Sequence, residues 1–404
     1  MDLTTLVVAA FMMISAIGFD TALHPRDIVL EATKSDQIGK VHVTDDMLNA
    51  VLNAQVDAIF LTPSVVSKPA IRTTHKKGIG LSITDAFGLS QVADALQEQA
   101  GYAPDRIRLY VFSENDTAKV LVSGFEAQNS NSFQQEVVQV QDESIVSLVQ
   151  RATSVGVAYI DPYMTALNLM RRHIKDRDFK LSQEVMDFAK ARLPTTAASA
   201  DRSMLENLEG MIALFNSDVP QALQRFQRAV NSNPANHVAI LNLALTEIAL
   251  DMDAPAEAQL TGMLKTTPPT DRVVLTTAYV TLAGAYLGLH QPARADAAMQ
   301  QASDLDPNSP TVLGIWAEVK LERGDTDAAG KLADRARLAD NPYEEYAEIA
   351  ALYFTWQKGQ PFLRSPSGSA TKAQDTTEKT APTAPETAKK AAPPVPDAVA
   401  KPTQ

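Results

Sequence analysis

The stretch from Tyr279 to Pro307, YVTLAGAYLGLHQPARADAAMQQASDLDP, decides how most of this chain folds. Tyr279, Leu282, Ala283 and Tyr286 stand at helical spacing before a short turn at His290. Ala295, Met299 and Ala302 stand at helical spacing after it, and Pro307 ends the second helix, because proline cannot continue one. Small residues let two helices approach until ridges fit grooves. Met299 then fills the space between this helix pair and the next.

Working outward, the same pattern is written again on both sides. Gly210, Ala222, Phe226, Ala229 and Pro234 recur 34 residues later as Ala244, Ala256, Leu260, Met263 and Pro268. They return after a five-residue insertion as Ala283, Ala295, Met299, Ala302 and Pro307. A fourth copy carries Trp316, Ala317, Gly324, Ala329, Ala336 and, one residue late, Pro342. A period of 34 with these features marks stacked helix pairs, which expose an extended surface.

On these residues the chain resembles the tetratricopeptide repeat (TPR) family over about residues 200–342. The resemblance implies an all-α solenoid, extended here to 161–357 by two degenerate helices before it (about 162–175 and 180–192) and a closing helix, Tyr343–Trp356. It departs from the pattern where Glu206, Glu209 and Glu247 replace large apolar or aromatic residues. In that family the first helix of each pair lines a concave groove. Carried over, this implies a partner-binding groove of Met204, Asn207, Met211 and Phe215, then Leu241, Leu245 and Ile248, then Thr277, Val280, Gly284 and Leu287. The alternative is that these residues only pack the superhelix core. Asn242 matches one position of the carboxylate clamp some such domains use, but the accompanying cations are missing. A groove of Met, Leu and Phe suits an amphipathic helix or apolar peptide, since Met adapts its shape.

The region before the array, 27–157, reads as a small α+β domain with a mostly antiparallel sheet. Ile28-Val29-Leu30 and Val41-His42-Val43 are short β-type runs, and a helix follows Thr44. Ile79–Ile83 reads as a strand, and Ser90 caps a helix. Ile107, Leu109 and Val111 alternate inward, Glu114-Asn115-Asp116-Thr117 turns, and Ala118, Val120 and Val122 alternate back, which predicts a hairpin. Phe133–Val140 adds a third strand, a helix with Ile145, Leu148, Val149, Ala152 and Val155 closes the unit, and Asp161-Pro162 opens the helical half.

Residues 1–20 carry one apolar block, Leu3–Phe19, at the lower limit of about 17 residues needed to span a bilayer core. It reads as a retained transmembrane anchor, with a cleaved signal peptide ending near Ala16-Ile17-Gly18 or a buried helix as the alternatives. Arg26 and Lys34 behind it favour a cytoplasmic body, whereas the order of parts loosely resembles proteobacterial envelope proteins and favours a periplasmic one. The expectation leans to the periplasmic side. Residues 365–404 contain 23 Ala, Pro or Thr and bury too little to offset their ordering entropy, so they read as a disordered tail.

A net charge of −12 disfavours nucleic acid and anionic surfaces, and the absence of Cys removes disulfides, thiolate metal sites and Cys nucleophiles. The six histidines never stand four apart, Lys77-Gly78-Ile79-Gly80 lacks the rest of a phosphate loop, and neither Asp251-Met252-Asp253 nor Asp304-Leu305-Asp306 has the Gly and distal Glu of a calcium loop. Those acidic runs read as caps of the helices that follow. No catalytic residue, metal site or cofactor is expected. The function expected is a membrane-tethered adaptor with protein partners, supporting assembly of an envelope complex, secretion-type complexes among the candidates. A self-assembling structural protein (a homo-oligomer) and a ligand sensor built on the α+β domain are the alternatives.

Overall fold

The computed structural model describes residues 26–35, 43–66, 71–73, 105–126, 131–192, 200–339 and 349. The apolar block Leu3–Phe19, the strand Ile79–Ile83, the helix after Ser90, the closing helix Tyr343–Trp356 apart from Ile349, and the tail lie outside them. Among the described residues no helix is long and apolar enough to cross a membrane.

A small sheet-and-helix region comes first. Strands β1 (Arg26–Lys34), β2 (Ile71–Thr73), β3 (Asp105–Glu114), β4 (Thr117–Glu126) and β5 (Asn131–Val138) form one sheet in the order β2-β1-β3-β4-β5. The hairpin expected from alternation is β3–β4, with Glu114 opposite Thr117 and both Asn115 and Asp116 left-handed, as a two-residue turn requires. β5 continues it antiparallel. The sheet is nevertheless mixed rather than mostly antiparallel, because β1 runs parallel to both β2 and β3. Alternation within a strand sets which side chains face inward and carries no information on strand direction.

Among the described residues β2 pairs with β1 at Arg26–Ile28 alone, which leaves the far half of that edge of β1 without a strand partner. Helix α1 (Asp45–Phe60), capped by Thr44, covers it. Asn49 on α1 accepts from Ala32 N and donates to Ala32 O, each at 2.8 Å, standing in for a strand. Helix α2 (Ile145–Ile160), capped by Ser144, crosses β3, β4 and β5 on the inward face of the sheet. Ile28, Ile107, Leu109, Val120 and Val122 are fully or almost fully buried there.

Asp161 ends α2 and caps α3 (Pro162–Arg172), its carboxylate accepting from Met164 N at 3.0 Å, and α4 (Lys180–Arg192) follows. The first of these two helices is shorter than the sequence suggested and the second matches. Asn168 on α3 donates to Thr62 Oγ1 at 2.9 Å and to Ala58 O at 3.0 Å, and Arg172 donates to Gln55 at 3.2 Å. One hydrophobic core therefore runs from the sheet into the helical half.

The array follows as α5 (Ala200–Phe215) and α6 (Val219–Ser232), α7 (His237–Ala249) and α8 (Asp253–Thr266), α9 (Arg272–Gly288) and α10 (Pro292–Leu305), α11 (Pro310–Glu322) and α12 (Thr326–Leu338). The residues of the repeat sit where their sizes require. Ala222, Ala256 and Ala295 are fully buried, as are Phe226, Leu260 and Met299 one turn further along the same helices.

The turn within each pair is also repeated. Ser217, Asp251, His290 and Gly324 all have positive φ, 56–79°, and sit at matching places in the period. In each turn the next residue donates its N–H five residues back, as Gln291 does to Tyr286 O at 2.8 Å and Asp325 to Lys320 O at 2.9 Å. This left-handed stop satisfies carbonyls that the helix end leaves bare. It also revises the reading of Asp251-Met252-Asp253 as a cap. Asp251 is the left-handed residue, and Met252 caps α8 without a side-chain bond.

Candidate partner-binding site

The eleven residues expected to line a groove are carried by the first helix of three pairs: α5, α7 and α9. Nine of them, all but Met204 and Leu287, are buried. Met211 and Leu241 are fully buried, and Phe215 lies flat against Phe179 with ring centroids 5.7 Å apart. Met204 and Leu287 are half-buried and pack on the same core. These positions are interior packing, so the side chains named for a groove are not a surface. The physical reason lies in the helices' own composition. α7 buries every residue from Val238 to Ile248, and a helix apolar on all sides is a buried helix.

Several polar residues on these helices are satisfied internally. Asn242, fully buried, donates to Asn207 Oδ1 at 2.8 Å, joining α7 to α5. Thr246 bonds back to Asn242 O, and Thr277 and Thr281 bond back to Val273 O and Thr277 O. Asn242 is thus a strut between repeats rather than an open clamp.

The three glutamates that depart from the repeat pattern are also buried. Glu209 accepts from Gln183 on α4, from Lys190 on α4 and from Arg225 on α6, tying three helices together. Glu206 accepts from Ser232 at 2.9 Å. Glu247 receives the Gln259 amide on both oxygens at 2.8 Å, and burial pushes its carboxyl up to about 7. Sequence reasoning noted these acids as departures and missed their use. Each lies within reach of a polar residue on a neighbouring helix, the one signal that could have found it.

Further locks join later pairs. Arg294 on α10 lies over the Tyr286 ring, 4.1 Å from its centre, and reaches Tyr286 Oη at 2.8 Å and Glu257 on α8 at 3.0 Å. Asp296 on α10 accepts from Trp316 Nε1 at 2.7 Å, from Lys320 at 2.6 Å and from Arg323, all on or just after α11. These cations hold its carboxyl below the usual range against the opposing effect of burial.

The helical half is an array of stacked helix pairs with the 34-residue period by which its sequence resembles the tetratricopeptide pattern. No protein-family model matches the chain, and neither does any curated protein. Among solved structures, MamA residues 41 to the end from Desulfovibrio magneticus RS-1 is 18% identical, with 44% of this chain and 94% of that one covered and a TM-score of 0.34. MamA AMB-1 is 16% identical, with 44% and 96% covered and a TM-score of 0.34. The APC/C hetero-tetramer Cut9–Hcn1 is 17% identical, with 47% and 34% covered and a TM-score of 0.37. At such identities and scores these likenesses say nothing about activity or partner.

Among the described residues no group of three or more His, Asp or Glu could hold a metal ion. His290 is taken up by its turn, and burial lowers the titration of His237. Along the array, apolar side chains reach the surface near the ends of first helices. Leu250 and Met252 are each nearly two-fifths exposed there, Leu321 is 55% exposed, and half-buried Leu287 lies on the same edge.

Proposed function

We propose that this protein is a scaffold for protein–protein interaction, tethered to a membrane through Leu3–Phe19, its body on the periplasmic side, where it supports assembly of an envelope complex. The observation that carries the reading is the uninterrupted stack of four helix pairs, α5 to α12, built by neighbour contacts alone. Such a stack presents a long surface at little cost in new core. The exposed apolar side chains of Leu250, Met252 and Leu321 are where an amphipathic helix or apolar peptide docks, and the eleven interior residues hold that edge in shape.

The test is photo-crosslinking from Leu250 and Leu321 in the full chain, combined with a carbonate wash of membranes. A discrete partner protein and retention in the pellet are the expected results. A soluble chain beginning near Phe19 removes the tether, and crosslinks that all fall back on copies of this chain remove the adaptor role.

A second reading, self-assembly, is favoured by the last helix pair. Leu338 is 89% exposed at the end of α12, above a small separate cluster of Leu313, Ala317 and Leu332. A mass that rises with concentration, with no other partner bound, decides for it.

A further inference from the structure

The outward face of the sheet carries a second site that the array's role does not use. Strand pairing places Arg106, Phe125 and Ser132 in one row across β3, β4 and β5, and Arg108, Ser123 and Gln134 in the next. These six, with Gly124 and Phe133, line an open cavity of about 470 Å³. That size falls within the range of small-molecule sites, roughly 300–1,000 Å³. Alternation explains why the six share a face. Ile107 and Phe133, between them in sequence, and the flanking Leu109 and Val122 are buried on the other face.

Their bonding distinguishes the two rows. Arg108 is engaged by Glu31 of β1 at 3.1 Å. Among the described residues Arg106 has no ion pair, and the side chains of Ser123, Ser132 and Gln134 make no hydrogen bond. A guanidinium fork, two hydroxyls and a primary amide therefore converge on one cavity with their bonding capacity unspent on the described residues. Phe125, half-buried, supplies an apolar wall beside them. In a chain of net charge −12, an unaccompanied arginine in a cavity is a specific provision for negative charge.

We propose that this cavity binds a small hydroxylated oxyanion, a sugar acid or sugar phosphate. Arg106 receives the oxyanion through its planar fork. Ser123, Ser132 and Gln134 exchange hydrogen bonds with ligand hydroxyls, and Phe125 packs on the apolar face of the sugar ring. Glu31 holds Arg108 in place as a second, weaker source of positive potential. The site is independent of whether the array binds a protein, so the two readings fail separately.

The experiment is calorimetric titration of the full chain with D-glucuronate, glucose 6-phosphate and uncharged D-glucose. At least one anionic probe binds with a dissociation constant on the order of 1 mM or tighter, and glucose does not. Whichever anion binds more tightly identifies the oxyanion. Arg106→Gln weakens binding by about tenfold or more without changing the melting temperature, because Arg106 is exposed, while Arg106→Lys retains part of it. Arg337→Gln, which removes an equal charge on α12, leaves affinity unchanged. The proposal is overturned if neither anion binds, if glucose binds as well as they do, or if Arg106→Gln binds normally.

Discussion

A Cβ added to Gly210 would stand 2.4 Å from Cε1 of Phe226, so the ring fills the space that the missing side chain leaves. The contact joins the two helices of the first pair, α5 and α6. Gly210→Ala should therefore destabilise the chain by about 1–3 kcal/mol, the cost of overpacking a close-packed core. Urea unfolding checks this. A variant as stable as the parent would show that the ring moves aside freely. Phe226→Leu in the Gly210→Ala background should recover part of the loss, since it removes the colliding atoms.

The left-handed turns yield a paired test. Gly324 has φ 79° and His290 has φ 56° at equivalent places 34 residues apart, yet one is glycine and the other pays the steric strain of a Cβ. Gly324→Ala should cost about 1 kcal/mol, and His290→Gly should gain up to about 1 kcal/mol. Opposite shifts in melting temperature are the expected signature. Shifts of one sign at both sites would mean that side-chain contacts rather than backbone conformation dominate these turns.

How far the fold could be read from sequence varied with the physics at each place. The β3–β4 hairpin, the helix starts after Thr44 and at Asp161-Pro162, and the packing alanines were legible, because each follows from local spacing or from a helix-start residue. The parallel pairing of β1 was not, since it joins residues some 75 positions apart and leaves no local mark. Groove and core could not be told apart for a related reason. Helical period tells which residues share a face, and on α7 every face is covered, so period could not separate a lining from a core. The cavity beside Arg106 was invisible for want of the cross-strand register that brings three strands' side chains together.

Burial of the inner helices changes what a charge there would do. Leu241 and Ala256 are both fully buried, so Leu241→Asp should unfold the array as severely as Ala256→Asp. Each places an unpaired carboxylate in the core, a loss of about 3–5 kcal/mol. Far-UV circular dichroism and urea midpoints measure it. A Leu241→Asp chain that keeps its helicity and midpoint would mean that this position opens to solvent after all. By contrast Leu321→Asp, at a position more than half exposed, should leave stability almost unchanged and report only on partner binding.

Glu247 makes the stability of the array depend on pH with a definite sign. Its carboxyl is pushed up to about 7 from 4.5 by burial, which outweighs the opposing hydrogen bond from Gln259. Below pH 4.5 the group is protonated in both folded and unfolded chains and contributes no difference. Between 4.5 and about 7 the folded chain holds a proton that the unfolded chain has lost, so stability falls as pH rises through this window. Above it both forms are ionised and the loss stays constant. The carboxylates of Glu143 and Asp296, whose titration is lowered, act in the opposite direction and only on the acid side of 4.5. Glu318, also raised by burial, adds to the decline and His237, lowered by burial, opposes it, each in both chains. Urea midpoints taken from pH 5 to pH 8 should thus decline more steeply in the parent chain than in Glu247→Gln, which keeps a neutral amide beside Gln259 throughout. An identical slope in both chains would assign the decline to other groups and leave Glu247 ionised in the fold.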